Sequence, residues 1–309
     1  MTYDTFKEQI LAGMKARIPL ASLSIQSVVK NNNVQLDGLT IMEGGTNLSP
    51  TIYLNYFYET YQNGVEFSSI LDTILHTYQS NKPRGKIDTS FFTDYANVRP
   101  HIAYKLIHYE RNRHLLADLP HFRYLDLAIV FYCLVSSSPS GSATILIRKD
   151  HLRFWNISPT QLFDAAKENT PRLLSYDLRN MNDLMEELLA PAHSTLSDPD
   201  IKKEDAAICP MYVLTNQNKL NGASCILYEH LLEHFADRLC CDLYILPSSI
   251  HEVILVPSDR IDNPSDLFTM VEDANRTVVA LGDILSDSVY YYNREKNQIV
   301  PVTEEKRIV

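Results

Sequence analysis

The chain has 309 residues, of which 45% are hydrophobic and 21% are charged, a composition that is typical of folded globular proteins and excludes wholesale disorder. A formal net charge of -10 disfavours broad binding to nucleic acid or to an anionic membrane, because both require a basic surface. No stretch approaches the roughly 18 apolar residues of a membrane span, and residues 1–17 lack the apolar core of a signal peptide. We therefore expect a cytoplasmic protein. We expect it to bind no membrane, and its composition disfavours nucleic acid as a partner.

The cysteines are odd in number and contain no C-x-x-C pair, so neither a disulfide framework nor a thiolate zinc site is indicated. We expect reduced core residues, with a strained vicinal disulfide between the last two as the alternative. The five are Cys133, Cys209, Cys225, Cys240 and Cys241.

The first 85 residues predict a helix–hairpin–helix region. Phe6, Ile10 and Met14 recur every four residues, which predicts an amphipathic helix from Tyr3 to about Arg17. Three asparagines at 31–33 then separate two strand-like segments, and asparagine tolerates the left-handed backbone of a tight turn. This pattern predicts a hairpin.

Two more helices complete this region. Ser49 and Pro50 are typical of an N-cap and a first-turn proline, so we expect a helix that runs from there through Tyr61. Residues 68–78 predict another helix. The polar segment 81–86, which contains proline and glycine, marks the main boundary, and we assign residues 1–85 to an N-terminal α+β region.

Two later segments, 86–190 and 207–309, predict similar strand–strand–helix units. The segment Leu125–Val130 parallels Cys241–Leu246, and the pair Ser158-Pro159 parallels Asn263-Pro264 before a helix. We interpret this as a duplication, although chance similarity and shared secondary structure also explain it. The predicted fold class is therefore α+β, with both units around a mixed or antiparallel sheet that they share.

The second unit begins with a predicted helix after Gly222, which carries Leu227, Leu231 and Phe235 on one stripe. Two strands follow, at 242–246 and 250–256, and the chain ends with a predicted hairpin over 286–302. Between the units we expect a helix over 178–188 and a polar surface loop over 191–206.

Three segments carry a resemblance to a known family: Leu48–Leu54, Tyr244–Pro257 and Leu285–Tyr292. They are similar to an uncharacterised bacterial family of unknown function that is common in Firmicutes, and the similarity covers nearly the whole chain. It implies a bacterial, cytoplasmic protein. It implies no activity, cofactor or catalytic residue.

The motif His230-Leu-Leu-Glu233-His234 matches the H-x-x-E-H pattern of a class of zinc metallopeptidases. Two histidines four residues apart on a helix can share a metal, and the glutamate can take a proton from the bound water. Helices rich in Glu and His also produce this pattern by chance. No acidic third ligand is evident downstream, so zinc is a possible cofactor rather than an expected one.

Two other groups are candidates. His251 and Glu252 lie beside a serine-containing turn and suggest acid–base chemistry, but neighbours on a strand point to opposite faces. Arg99, Arg111 and Arg113 belong to a stretch rich in Arg and His that is able to form an anion or partner site, or an ion-paired surface.

The tyrosines near 53–61 and 290–292 suggest a recognition surface or, equally, ordinary packing. No glycine-rich phosphate loop, dinucleotide motif or G-x-S-x-G motif is present. We therefore predict a non-catalytic cytoplasmic binding or interaction protein, whose protein or small-molecule partner occupies the groove between the units or the tyrosine-rich surface. The alternative is a metal-dependent hydrolase that uses His230, Glu233 and His234.

Overall fold

The computed structural model describes residues 1–47, 49–82, 90–138, 141–189 and 210–302. It divides the chain into two compact units, Met1–Phe92 and Thr93–Val309. Helices and antiparallel sheets occur in both, which confirms the predicted α+β class. The predicted polar loop at 191–206 lies outside the described residues.

The first unit packs helices against a three-stranded antiparallel sheet of order β1-β2-β3. Its core includes the predicted stripe of Phe6, Ile10 and Met14, all fully buried. Burying each such side chain contributes about 1.5–3 kcal/mol. The elements are α1 (Tyr3–Arg17), β1 (Ser22–Val29), β2 (Gln35–Met42), β3 (Thr51–Tyr53), α2 (Leu54–Gln62) and α3 (Phe67–Asn81).

In the first unit, the predicted hairpin turn is confirmed and one predicted helix start is wrong. The hairpin turn contains Asn32 and Asn33 at φ 57° and 60°, as asparagine in that position predicts. The predicted helix start at Ser49 is wrong, because residues 51–53 pair with β2 before α2 begins. Ser49 instead accepts a hydrogen bond through its Oγ from the Ile41 N–H, at 3.2 Å.

The second unit contains two antiparallel sheets rather than one. Its elements are α4 (Tyr95–Val98), β4 (Ile102–His108), α5 (Arg113–Asp118), β5 (His121–Tyr124), β6 (Leu127–Ser138), β7 (Gly141–Leu146), α6 (Lys149–Trp155), α7 (Pro159–Leu173), β8 (Tyr176–Asn180), α8 (Met181–Leu189), β9 (Tyr212–Asn216), α9 (Leu231–Leu239), β10 (Leu243–Leu246), β11 (Val253–Pro257), α10 (Ser265–Thr277), β12 (Tyr290–Asn293) and β13 (Gln298–Pro301).

The strand pair of each predicted strand–strand–helix unit exists, as β6–β7 and as β10–β11, but the two pairs belong to different sheets. In the four-stranded sheet, β6 pairs with β4, β5 and β7. The six-stranded sheet has the order β13-β12-β10-β11-β9-β8. The expected shared sheet is therefore wrong: strands β12 and β9 occupy both outer edges of the β10–β11 hairpin, so β6 and β7 cannot pair with it.

Two predicted helices also begin later than expected. Residues 176–180 form strand β8 against β9, and α8 starts only at Met181. The helix predicted from Gly222 is a 3₁₀ turn over Gly222–Leu227, and α9 starts at Leu231. A Cβ on Gly222 would lie 2.2 Å from Thr215 Oγ1 and 2.4 Å from the His251 carbonyl oxygen, so this glycine permits a close backbone approach.

A cluster of hydroxyl groups around Asp126 ties the two sheets together. Asp126, in the turn before β6, accepts hydrogen bonds from Ser286 Oγ at 2.6 Å and from Ser288 Oγ at 3.2 Å. The Tyr290 hydroxyl, at the start of β12, donates to the same carboxylate. Burial beside this carboxylate raises the pKa of Tyr290, so the phenol stays protonated and keeps donating.

The cysteines divide by burial. Cys133 and Cys225 are buried free thiols, and burial raises the pKa of each to about 12. Cys240, predicted in the core, is exposed at the end of α9, and Cys241 is half-buried. Cys209 lies outside the described residues.

Candidate functional site

A cavity of about 580 Å³ lies in the second unit, between α7, β8 and α9. Its walls combine elements from both predicted strand–strand–helix units. The volume is within the range of small-molecule sites, roughly 300–1,000 Å³. The lining residues are Tyr104, Lys167, Pro171, Ser175, Tyr176, Leu178, Leu227, Tyr228, Glu229, Leu231, His234, Phe235 and Arg238.

Helix α9 contributes one continuous stripe of side chains to this cavity. Leu231, His234, Phe235 and Arg238 are spaced three, four and seven residues apart, which places them on one helical face. Leu231 and Phe235 are buried, whereas His234 and Arg238 are exposed. The apolar part of the stripe therefore lies inside the cavity and the polar part at its mouth.

The Arg238 guanidinium lies over the ring of Phe235, with its Cζ 5.1 Å from the ring centroid. A guanidinium stacked on an aromatic face is held in one plane, and its N–H groups point outward along the edges of that plane. Helix α9 thus provides an apolar surface with a fixed cation beside it.

Helix α7 forms the opposite wall, and buried hydrogen bonds fix its position. Thr170 Oγ1 accepts from the Tyr104 N–H at 3.1 Å and donates to the Ala166 carbonyl at 2.6 Å. These bonds attach α7 to strand β4. Lys167, on the exposed side of this helix, lies 3.7 Å from the Glu229 carboxylate across the cavity mouth.

Two tyrosines form the inner end of the cavity. Tyr104 is 1% exposed, and its ring centroid lies 6.4 Å from that of Tyr228, at 71°. Tyr228 donates its hydroxyl proton to the Leu174 carbonyl at 2.7 Å, whereas the buried Tyr104 hydroxyl has no hydrogen-bond partner among the residues that the structure describes. Burial raises the pKa of both phenols, so both remain neutral.

The charges that line the cavity do not cancel. Lys167 and Arg238 are cationic, and Glu229 is the carboxylate among the lining residues. Asp237, adjacent to Arg238 in sequence, pairs with Arg294 at 3.6 Å instead. The mouth therefore keeps a net positive charge in a chain whose formal net charge is -10.

The structure brings the predicted metal ligands together but gives them other partners. His230 precedes α9 with φ 60°, and its Nδ1 lies 2.8 Å from Glu233 Oε2. This contact raises the pKa of His230, because the Glu233 carboxylate stabilises the protonated imidazole. The His230 and His234 rings stack with centroids 5.8 Å apart. Within the described residues, no group of three His, Cys, Asp or Glu side chains is placed to hold a metal ion.

His251 and Glu252 lie just before β11 rather than within it, so the argument from opposite strand faces does not apply. His251 Nε2 lies 3.6 Å from Asp283 Oδ1, and this carboxylate raises the pKa of His251. The backbone N–H of His251 donates to Ser249 Oγ at 3.0 Å, but the buried ring Nδ1 makes no hydrogen bond to any described residue. The serine and the imidazole therefore do not form a nucleophile–base pair.

The three predicted anion-binding arginines pair with three different carboxylates. Arg99 lies 2.8 Å from Glu168, and Arg113 lies 2.9 Å from Glu110. Arg111 pairs with Asp287. These pairs correspond to the ion-paired surface, the alternative to an anion site, although Glu168 and Asp287 lie outside the Arg-rich stretch.

The predicted tyrosine surface is mostly packed. Tyr58 and Tyr61 pack against the core of the first unit, and Tyr290 and Tyr292 are buried in the second. Tyr56 is the exception, with 68% of its surface exposed.

Sequence reasoning missed Tyr104, Lys167, Tyr228 and Arg238 as members of one site. The first three come from separate segments, and nothing local links them. Arg238 follows Phe235 by three residues, so the helical pattern was sufficient to place it beside the apolar stripe.

Fold and cavity thus define an α+β protein whose second unit contains a cavity lined by both apolar and charged side chains. The chain belongs to the family described as "Family of unknown function (DUF5688)", whose model matches residues 3–294. This confirms the resemblance to an uncharacterised family. No curated protein and no solved structure matches the chain. Among the described residues, no helix combines the length and apolar character needed to cross a membrane.

Proposed function

We propose that the protein is a non-catalytic binding protein that holds a small molecule, or a side chain of a partner protein, in the cavity between α7, β8 and α9. The observation that supports this most strongly is the cavity itself. Its lining combines buried apolar side chains, such as Leu231 and Phe235, with exposed charged side chains, such as Lys167 and Arg238. A concave site that joins apolar surface to positioned polar groups is the usual setting of a bound ligand.

The titratable groups along the cavity favour binding over catalysis. The Tyr104 and Tyr228 phenols are neutral because burial raises the pKa of each. Lys167 and Glu229 pair with one another. No described lining residue forms a nucleophile–base contact of the kind that covalent catalysis uses.

The proposal includes a location in the bacterial cytoplasm. One observation supports the cytoplasmic location: Cys133 and Cys225 are buried free thiols, which agrees with a reducing compartment.

A cavity-filling substitution tests the proposal. Leu178 lines the cavity from β8 and is half-buried, so Leu178→Trp fills the site without removing core volume. Leu115→Trp is the matched control, since Leu115 is half-buried on α5 and does not line the cavity. The measurement is a ligand-observed NMR screen of a small-molecule library against the parent protein and both variants.

We expect hits that bind the parent and Leu115→Trp but lose at least tenfold in affinity with Leu178→Trp. A library without hits, or hits that bind Leu178→Trp as well as the parent, would overturn the proposal.

A further inference from the structure

We infer that the cavity selects a small organic monoanion, a carboxylate attached to an aryl or alkyl body, whose carboxylate binds Arg238 at the mouth. This inference rests on the proposed function of the cavity and names the class of ligand. Three observations support it: Arg238 has no ion pair or hydrogen bond among the described residues, buried apolar and exposed charged side chains both line the cavity, and the charges of the lining do not cancel.

Arg238 differs from the other arginines that the structure describes. Each of those makes an ion pair or a hydrogen bond to protein, as Arg111 does to Asp287 and Arg172 does to the Pro100 carbonyl. Within the described part of the chain, Arg238 makes neither, and its recorded contact is the Phe235 ring. A planar, pre-oriented guanidinium with free N–H groups matches a carboxylate, which accepts two parallel hydrogen bonds.

The positions of the apolar and charged lining residues determine how a bound ligand is oriented. Leu231, Phe235 and Tyr228 are buried along the interior, whereas Arg238 and Lys167 are exposed at the mouth. An apolar body therefore enters the cavity, and its charged group remains at the entrance. A volume of about 580 Å³ gives room for such a body and is far larger than a bare inorganic anion needs.

The charge balance favours one negative charge over two. Glu229 lies 3.7 Å from Lys167 and offsets its charge, which leaves Arg238 as the uncompensated cation of the lining. A phosphate monoester carries about -1.5 to -2 at neutral pH and would meet the Glu229 carboxylate with excess charge. A carboxylate carries the single charge that Arg238 can neutralise.

Matched probes separate the charge from the apolar body. The probes are 4-phenylbutyrate, its uncharged amide 4-phenylbutyramide, and 3-phenylpropyl phosphate, each titrated into the full chain by isothermal calorimetry. The variants are Arg238→Gln and Arg238→Lys. Arg276→Gln is the control, because Arg276 is exposed on α10, pairs with Asp273 and does not line the cavity.

We expect the carboxylate to bind about tenfold or more tightly than the amide, as a hydrogen-bonded charge at a partly exposed site would give. Arg238→Gln should remove this preference while leaving the affinity for the amide unchanged. Arg238→Lys should keep part of it, because the charge remains and the paired geometry is lost. Arg276→Gln should leave it intact.

Different experimental results would overturn this inference and the proposed function. Equal binding of carboxylate and amide, or a preference that survives Arg238→Gln, would overturn the anion assignment while the cavity still binds ligands. Tighter binding of the phosphate ester would overturn the choice of a monoanion. A cavity that binds neither these probes nor any library compound would overturn both proposals. Thermal unfolding of the parent and of Arg238→Gln is measured as well. Matching curves would exclude misfolding as the cause of a lost binding signal.

Discussion

The hydroxyl cluster around Asp126 and the cavity beside α9 both combine tyrosines with charged side chains, but their polar groups differ in pairing. At Asp126, each hydroxyl of Ser286, Ser288 and Tyr290 donates to one carboxylate. In the cavity, no described residue makes a hydrogen bond to the Tyr104 hydroxyl or places a carboxylate against the Arg238 guanidinium. Since buried polar groups are normally paired, the first region is a structural tie, whereas the unpaired Tyr104 hydroxyl of the second agrees with the proposed binding role.

The largest effect that tests this comparison is the loss of the Asp126 carboxylate. Asp126→Ala leaves three hydroxyls without their acceptor, at the junction of two sheets. We expect it to lower the free energy of unfolding by about 3 kcal/mol, measured by urea denaturation. Asp118→Ala is the control, because Asp118 is exposed and pairs with Arg148 only at 3.6 Å. We expect a change below about 1 kcal/mol there. Similar small losses in both variants would show that the cluster is not a tie.

Two tyrosine variants compare two hydroxyls of the cavity lining. One donates a hydrogen bond, and the other has no hydrogen-bond partner among the described residues. Tyr228→Phe removes the donor to the Leu174 carbonyl, so we expect a loss of about 1–2 kcal/mol in the free energy of unfolding. Tyr104→Phe removes a hydroxyl without a partner, so we expect no loss, or a gain of up to about 1 kcal/mol. Parallel chemical denaturation measures both. Equal losses would mean that the Tyr104 hydroxyl contributes a stabilising contact after all.

The smallest expected effect concerns His251 and Asp283, a third polar pair that lies outside the cavity lining. Asp283 raises the pKa of His251 in the folded protein above its ordinary value of about 6.5. The protonated histidine therefore stabilises the fold fully below about pH 6.5, and this contribution is lost as the pH rises through the raised folded-state pKa.

Because the His251 side chain is 36% exposed, solvent screening keeps this contribution below about 1 kcal/mol. The measurement is the difference in unfolding free energy between pH 5.5 and pH 8, for the parent and for Asp283→Asn. We expect the parent to lose more stability than the variant on going to pH 8. An identical pH dependence in both proteins would contradict the assignment of the shift to Asp283.

Local patterns predicted those parts of the fold that local chemistry determines. The four-residue spacing of Phe6, Ile10 and Met14 predicted α1, and the asparagines at 31–33 predicted the first hairpin turn. The segments 51–53 and 178–180 were predicted as helix but form strands, because pairing with β2 and β9 outweighs the local helical pattern.

The site was less predictable than the fold. The row of leucines and Phe235 predicted an uninterrupted helix from Gly222, but the close approach of Gly222 to Thr215 and His251 favours a 3₁₀ turn there instead. That break places His230 ahead of α9, beside Glu233. Only tertiary contacts bring Tyr104 and Lys167 to the same cavity, and no spacing rule in the sequence contains that information.

The Asp126 cluster also constrains the order in which the molecule can be assembled during synthesis. Its three hydroxyl donors lie 160, 162 and 164 residues further along the chain than the carboxylate that they share. A nascent chain that has not yet emerged as far as Ser286 can form the hairpins of the four-stranded sheet, but the junction with β12 must wait. Contacts of such long sequence separation slow folding, so closure of this junction is expected among the last steps before the native state.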